Sequence, residues 1–266
     1  MSIAQISNNY QVGRGEAYFA PFVSGNGASG VPGGESFLGD VNALSVTLKA
    51  TLLDHYQSTG GVKTIDQSAT IQSDSSGSLV TENINTANLA LFFFGTTSAV
   101  TTTAATVAAE VMPTIVQGLY YNVGVTPTDP VGVKGLNPAT PVVLTSNPSG
   151  TTYVAGTDYL VDYPHGRIYI IPGGAITAGT TPLVTYTKLA ASKPRVISGT
   201  TPIEGALHYL GVNSVGNNLD YYMPWVKLTP NGSFELIGDK FAMLTFDLKV
   251  LKKGTLPSLF IDGQPA

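Results

Sequence analysis

Residues 241–251 read Phe-Ala-Met-Leu-Thr-Phe-Asp-Leu-Lys-Val-Leu. Ala242, Leu244, Phe246, Leu248 and Val250 alternate with Met243, Thr245, Asp247 and Lys249. A period of two puts the two sets on opposite faces of a strand. One face is apolar enough to be core; the other is polar and mixed in charge, and meets water. Residues 42–54 repeat the pattern, with Leu44, Val46, Leu48, Ala50 and Leu52 set against Ser45, Thr47, Lys49 and Thr51. Two long strands, each with one oily and one hydrated face, point to a sheet whose wet side lines something.

The rest of the chain fits a folded, mainly β protein. Its 266 residues are 43% hydrophobic, with mean hydropathy +0.17, enough to bury a sizeable core. Only 11% of residues are charged, where a soluble domain commonly has about 25%. A surface so short of charge is best hidden against partners, so an oligomer is expected. The net charge of −4 and the scattered lysines and arginines exclude a phosphate-binding footprint. Without cysteine there is no disulfide framework, thiolate metal site or cysteine nucleophile. Residues 1–10 lack the basic start and apolar run of a secretory signal. The longest oily run, 89–94, is far short of the roughly 20 residues that span a bilayer. Cytosolic synthesis with no membrane anchor is the expectation.

Working outward, a short strand is expected at 16–22, then a flexible loop at 24–34. Residues 42–56 and 63–73 form a long hairpin turning through Ser58-Thr-Gly-Gly61, with 74–77 as a loop. A helix is expected over 81–94, where Ile84, Ala87, Leu91 and Phe94 share a face. Thr81 or Asn83 would cap it and Gly95 would supply the left-handed residue beyond its end. Residues 96–109, small and threonine-rich, read as loop or weak strand. From Val111 proline and glycine recur every few residues, and short β runs at 119–125, 141–145, 158–163, 167–171 and 182–187 read as a small antiparallel sandwich. This gives a discontinuous domain, 1–111 with 194–266, interrupted by an inserted β-sandwich at 112–193. Strands at 203–213, 219–229 and 233–237 then lead to the last long strand, and 256–266 is a tail placed against a neighbour.

Motifs for chemistry are weak. Residues 25–30, Gly-Asn-Gly-Ala-Ser-Gly, match a dinucleotide-binding turn. That turn must open a helix, and Val31-Pro-Gly-Gly34 cannot build one. His55, His165 and His208 have no zinc-like spacing. Asp158 with Asp162, and Glu235 with Asp239, are the acidic pairs a glycosidase would need, but turn capping explains the first. No cluster supplies the six to eight oxygens calcium takes. Asn231-Gly-Ser233 matches a glycosylation acceptor, which a turn explains. The expectation is a protein without enzyme activity, cofactor or metal.

Several stretches together resemble the tail tube (major tail) proteins of long-tailed bacteriophages. They are Glu204-Gly-Ala-Leu-His-Tyr209, the run from Asp220 through Trp225 to Gly232, Leu236-Ile-Gly-Asp239, and Leu244-Thr-Phe-Asp-Leu-Lys-Val-Leu251. Gly156-Thr-Asp-Tyr-Leu-Val-Asp162 followed by Gly166-Arg-Ile-Tyr-Ile170 is similar to the inserted Ig-like module some of them carry, and Asn88 to Gly95 is similar to their helix ending.

The resemblance implies a two-sheet β-sandwich flanked by one helix. Six copies would form a ring, and rings would stack into a hollow virion tube through which double-stranded DNA passes on ejection. The partners implied are further copies of the chain and the tape-measure, tail-tip and tail-terminator proteins. On this basis Ser45, Thr47, Lys49, Thr245, Asp247 and Lys249 are expected to face the lumen. The hairpin end, with His55, Tyr56, Gly60, Gly61 and Lys63, is expected to reach the next ring. Two other readings compete. A carbohydrate-binding β-sandwich requires Tyr221, Tyr222 and Trp225 to form an exposed platform. A capsid decoration protein would be trimeric and lack the projecting hairpin.

Overall fold

A computed structural model of the chain describes residues 10–264. The secretory-signal expectation for residues 1–9 and the last two residues of the tail lie outside them. The fold is mainly β. In chain order the elements are β1 (Gly15–Ser24), β2 (Val31–Pro32), β3 (Ser36–Phe37), β4 (Val41–Gln57), β5 (Thr64–Thr81), the helix α1 (Thr86–Phe92), β6 (Thr96–Thr102), β7 (Ala105–Val111), β8 (Tyr120–Asn122), β9 (Val143–Thr145), β10 (Tyr159–Asp162), β11 (Arg167–Ile170), β12 (Leu183–Lys188), β13 (Ala191–Ile197), β14 (Ile203–Gly211), β15 (Leu219–Pro230), β16 (Leu244–Val250) and β17 (Phe260–Gly263). The chain divides into two compact units, residues 1–98 with 196–266 and residues 99–195. The paired strands β6 and β13 carry it from one to the other and back.

In the first unit nine strands form one hydrogen-bonded sheet in the order β2-β1-β14-β15-β16-β5-β4, with β3 added to β1 and β17 to β15. Both layers of the sandwich belong to this sheet, which curls until Val46 and Leu48 of β4 share a cleft with Tyr209 of β14 and Tyr221 and Met223 of β15. In β16 the alternation is realised as written: Leu244, Phe246, Leu248 and Val250 are buried, while Asp247 and Lys249 are exposed. These apolar side chains join Phe19, Leu38, Leu79, Leu207, Val226 and Leu228 in the core, and α1 closes over it. Phe92 meets Phe246 edge to face, with ring centroids 5.8 Å apart.

Several elements differ from expectation. The helix is seven residues long. Thr81 does not cap it, because its buried hydroxyl ends β5 by donating to the Leu38 and Asp40 carbonyls. The cap is Asn85, whose side chain accepts from the Asn88 N–H. At the far end the positive φ falls on Phe94, not Gly95. Gly95 is required for a different reason: the Ile197 carbonyl stands 2.3 Å from where a Cβ would be. In the run Phe92-Phe93-Phe94, Phe92 is buried, whereas Phe93 is 40% exposed. The loop expected at 74–77 is strand, since β16 pairs with Ser75–Thr81. The strand expected at 233–237 is absent, and residues 231–243 connect β15 to β16 without one. Within the tail, β17 pairs with β15 of its own chain.

The second unit packs two three-stranded antiparallel sheets, β10-β11-β8 and β7-β12-β9, over a core that includes Ile115, Leu144, Ile168, Ile170, Val184 and Tyr186. Its first strand, β7, lies before residue 112, where the inserted module was expected to begin. The sequence there is small and polar, but its backbone completes the ladder along β12 and Val107 packs on the core.

The two faces of β16 set the first test. Phe246→Ala removes a buried ring and should cost about 3–5 kcal/mol. Lys249→Ala on the opposite face should change stability by less than about 0.5 kcal/mol. Urea unfolding of the two variants measures both, and equal losses would contradict the assignment of faces.

Candidate functional site

The register brings the two separate polar sets onto one surface. Across β15, β16, β5 and β4, one row runs Lys227, Lys249, Ser76, Thr47, and the next runs Thr229, Asp247, Ser78, Ser45. Directly paired residues of an antiparallel ladder point to the same side, so Ser45, Thr47, Asp247 and Lys249 share a face. Thr245 opposite Val80, and Lys49 opposite Asp74, extend it. Ser45 and Ser78 are hydrogen bonded through their hydroxyls at 2.9 Å, and Asn231 donates to Asp247 at 2.8 Å. Ser45, Thr47, Lys49, Asp247 and Lys249 are exposed and Thr245 is half-buried. Lys227 pairs with Glu204 on its other side. Lys49, Lys227 and Lys249 therefore stand among Asp74, Asp247 and Glu204, and the face is close to neutral.

The same two strands make the hairpin. Beyond Lys49–Asp74, among the described residues β4 and β5 pair only with each other. This two-stranded part spans residues 50–57 of β4, about 27 Å at roughly 3.4 Å per residue. His55, Tyr56, Gly60, Gly61 and Lys63 lie at or near its end and are exposed. The irregular alternation of β5 has a cause in two bulges. The ladder skips Ile71 between the pairs Thr51–Gln72 and Leu52–Thr70, and Asp66 between His55–Gln67 and Tyr56–Ile65. Each extra residue shifts which face the following side chains take. Asp66 then meets the His55 ring at 2.6 Å, and Asp54 accepts from the Ser68 hydroxyl.

Sequence reasoning missed that the oily face of β4 is largely uncovered within the protomer. Leu44 packs on the core, but Val46, Leu48 and Leu52 are 40%, 73% and 57% exposed. Val46 and Leu48 line a cleft of about 690 Å³, walled on its other side by Tyr209, Tyr221, Met223 and Leu259. β4 also has β5 on one edge and, among the described residues, nothing on the other. Alternation cannot distinguish a face covered by its own chain from one that needs another.

The candidate chemical groups are scattered. His55, His165 and His208 each meet a carboxylate, of Asp66, Asp162 and Glu35 respectively. Glu35 is 173 residues from His208 in sequence, so only the fold reveals that pair. Among the described residues no group of three or more histidines and acids gathers to hold a metal. Asp158 is buried and joins two turns by accepting from the Val154 and Ala175 N–H groups, which hold its carboxyl below the usual range. The 25–30 motif builds a short 3₁₀ turn (Gly27–Ser29), and its Gly27 N–H is taken by Glu204. Tyr221, Tyr222 and Trp225 are half-buried, with the indole against Gly27, so they form no exposed platform.

Asp162 yields a pH prediction. His165 and Arg167 donate to its carboxylate and lower its pKa to about 2. That lies below the unfolded value of about 3.9. Its stabilising contribution is therefore complete above about pH 4 and is lost as pH falls towards 2. Carboxyl NMR should show Asp162 titrating at about 2, and Asp162→Asn should remove this part of the acid dependence. A titration near pH 4 would contradict the pairing.

No curated protein matches the chain. A family model described as protein of unknown function UCP028589 matches residues 10–258. That match takes in both units, the hydrated face and the hairpin, and the chain belongs to this family.

Proposed function

We propose that this chain is a structural tube protein. Copies associate edge to edge into a ring of six, rings stack, and the hydrated faces together wall an aqueous channel that passes double-stranded DNA in a bacteriophage tail. The reading rests on β4, a strand of 17 residues whose outer edge has no partner among the described residues and whose valine and leucine side chains are exposed on the face opposite the hydrated one. Such an edge invites pairing with another chain. A closed ring satisfies every edge, and head-to-tail stacking of rings makes a filament.

The composition of the hydrated face suits the role. Hydroxyls and balanced lysines and acids offer phosphates no net attraction, whereas a lysine-rich wall would hold the cargo through released counterions. Ser45, Thr47, Lys49, Thr245, Asp247 and Lys249 are the proposed channel residues. The end of the hairpin, His55 to Lys63, is the proposed contact with the next ring. Tape-measure, tail-tip and terminator proteins are the proposed partners. The half-buried Tyr221, Tyr222 and Trp225 weigh against carbohydrate binding at those positions, and the projecting hairpin weighs against a decoration protein.

Negative-stain microscopy of the purified full-length protein tests the reading. Rings or tubes with a central hole are expected; single protomers at all concentrations would overturn it. Replacing residues 55–63 with two glycines should leave the circular dichroism spectrum unchanged and abolish tubes while sparing rings. Undiminished tubes in that variant would remove the stacking role from the hairpin.

A further inference from the structure

The second unit carries a surface that the proposed tube does not invoke. The outer face of its β10-β11-β8 sheet has two adjoining rows. One, by register, is Leu160, Tyr169, Tyr120; the other is Asp162, Arg167, Asn122. Ile168 and Ile170, which alternate with these on β11, are buried in the core. Leu160 and Tyr120 are 50% and 56% exposed, and the Tyr120 and Tyr169 ring centroids are 4.9 Å apart. Beside the charged row lies a recess of about 300 Å³ lined by Asn122, Val131, Lys134, His165 and Arg167. Arg167 joins the two features, since it lines the recess and its guanidinium sits 4.7 Å from the centroid of the Tyr120 ring.

The polar groups of the recess are unevenly committed. Asp162 is occupied by Nε and Nη2 of Arg167 and by Nδ1 of His165. Among the described residues nothing accepts from Arg167 Nη1 or from the Asn122 amide, and no carboxylate lies within ion-pairing distance of Lys134. The recess thus keeps one uncompensated cation and several free donors, in a protein whose net charge is −4. Donors of this kind suit a carboxylate. The aromatic row offers a flat, weakly polar surface. The two rows are two residues apart along a strand, about 7 Å. A carboxylate bonded directly to a pyranose ring lies a short way from the ring centre, and a hydrogen bond of about 2.9 Å beyond it spans the remaining distance to a donor in the second row.

We propose that this face binds acidic saccharides, with sugar rings against Tyr120 and Tyr169 and the carboxylate in the recess at Lys134, Arg167 and Asn122. A polyphosphate such as nucleic acid is a poorer fit, because two cations on an acidic protein supply little counterion release. The site lies wholly within residues 99–195 and does not rest on the tube reading.

Calorimetric titration of the full-length protein with trigalacturonate, maltotriose, inorganic phosphate and a short single-stranded oligonucleotide tests the proposal. Trigalacturonate should bind saturably and more weakly on raising salt to about 0.15 M. Maltotriose and phosphate should bind at least about tenfold more weakly, since each lacks half of the recognised chemistry. Lys134→Gln and Tyr120→Ala alter exposed side chains, so the fold should persist by circular dichroism. Each should weaken trigalacturonate by about tenfold or more. Absence of trigalacturonate binding, equal binding of maltotriose, phosphate or the oligonucleotide, or affinity unchanged in both variants would each overturn it.

Discussion

β4 has an unsatisfied backbone edge. It pairs with β5 on one side, while among the described residues the other side has no strand. Proteins that keep such an edge usually shorten it, bulge it or load it with charge. Here it is long, its own bulge at Asn42 lies at the very start of the strand while the other two skipped residues fall on β5, and Lys49 is the strand's only lysine. The oily side chains of the same strand stop being covered after Leu44. Both deficits, unpaired amides and uncovered leucine and valine, lie on one element, and one neighbouring copy could remove both together.

The hydrated face depends on the same strand in a different way. It exists because β16, β5 and β4 are aligned so that residues of like character fall in rows. Asp247, Ser78 and Ser45 form one row, and Lys249, Ser76 and Thr47 another. Lysines at Lys227 and Lys249 stand opposite each other, a like-charge pairing that costs stability in an isolated sheet. Glu204 across from Lys227 offsets part of that cost. A face kept this polar, on strands whose reverse side is pure core in β16, is organised for water rather than for packing.

What the sequence made legible follows from what periodicity can encode. The alternation of β16 was readable because its oily side is covered by its own chain, by Phe92 and the rest of the core. The β4 alternation was equally readable, but its burial was not, because among the described residues nothing covers Leu48 and Leu52. The face of each β5 residue could not be read past Ile71 and Asp66, since a bulge shifts the pattern without a sequence mark of its own. The helix was overestimated because Thr81 looks like a cap, and only the fold brings the Leu38 and Asp40 carbonyls to its hydroxyl. The β7 strand was hidden by alanine and threonine that contribute backbone pairing and little burial. The pair between His208 and Glu35, and the recess at Lys134, Arg167 and Asn122, unite residues too distant for any local pattern.

In the proposed assembly several protomers join so that these polar rows enclose water. A cryo-electron microscopy reconstruction of the assembled full-length protein, resolved to side chains, tests it most directly. A central channel is expected whose wall carries Ser45, Thr47, Lys49, Asp247 and Lys249, with the outer edge of β4 paired to the adjacent subunit. A channel walled by other elements, or an assembly in which that edge stays open to solvent, would contradict it.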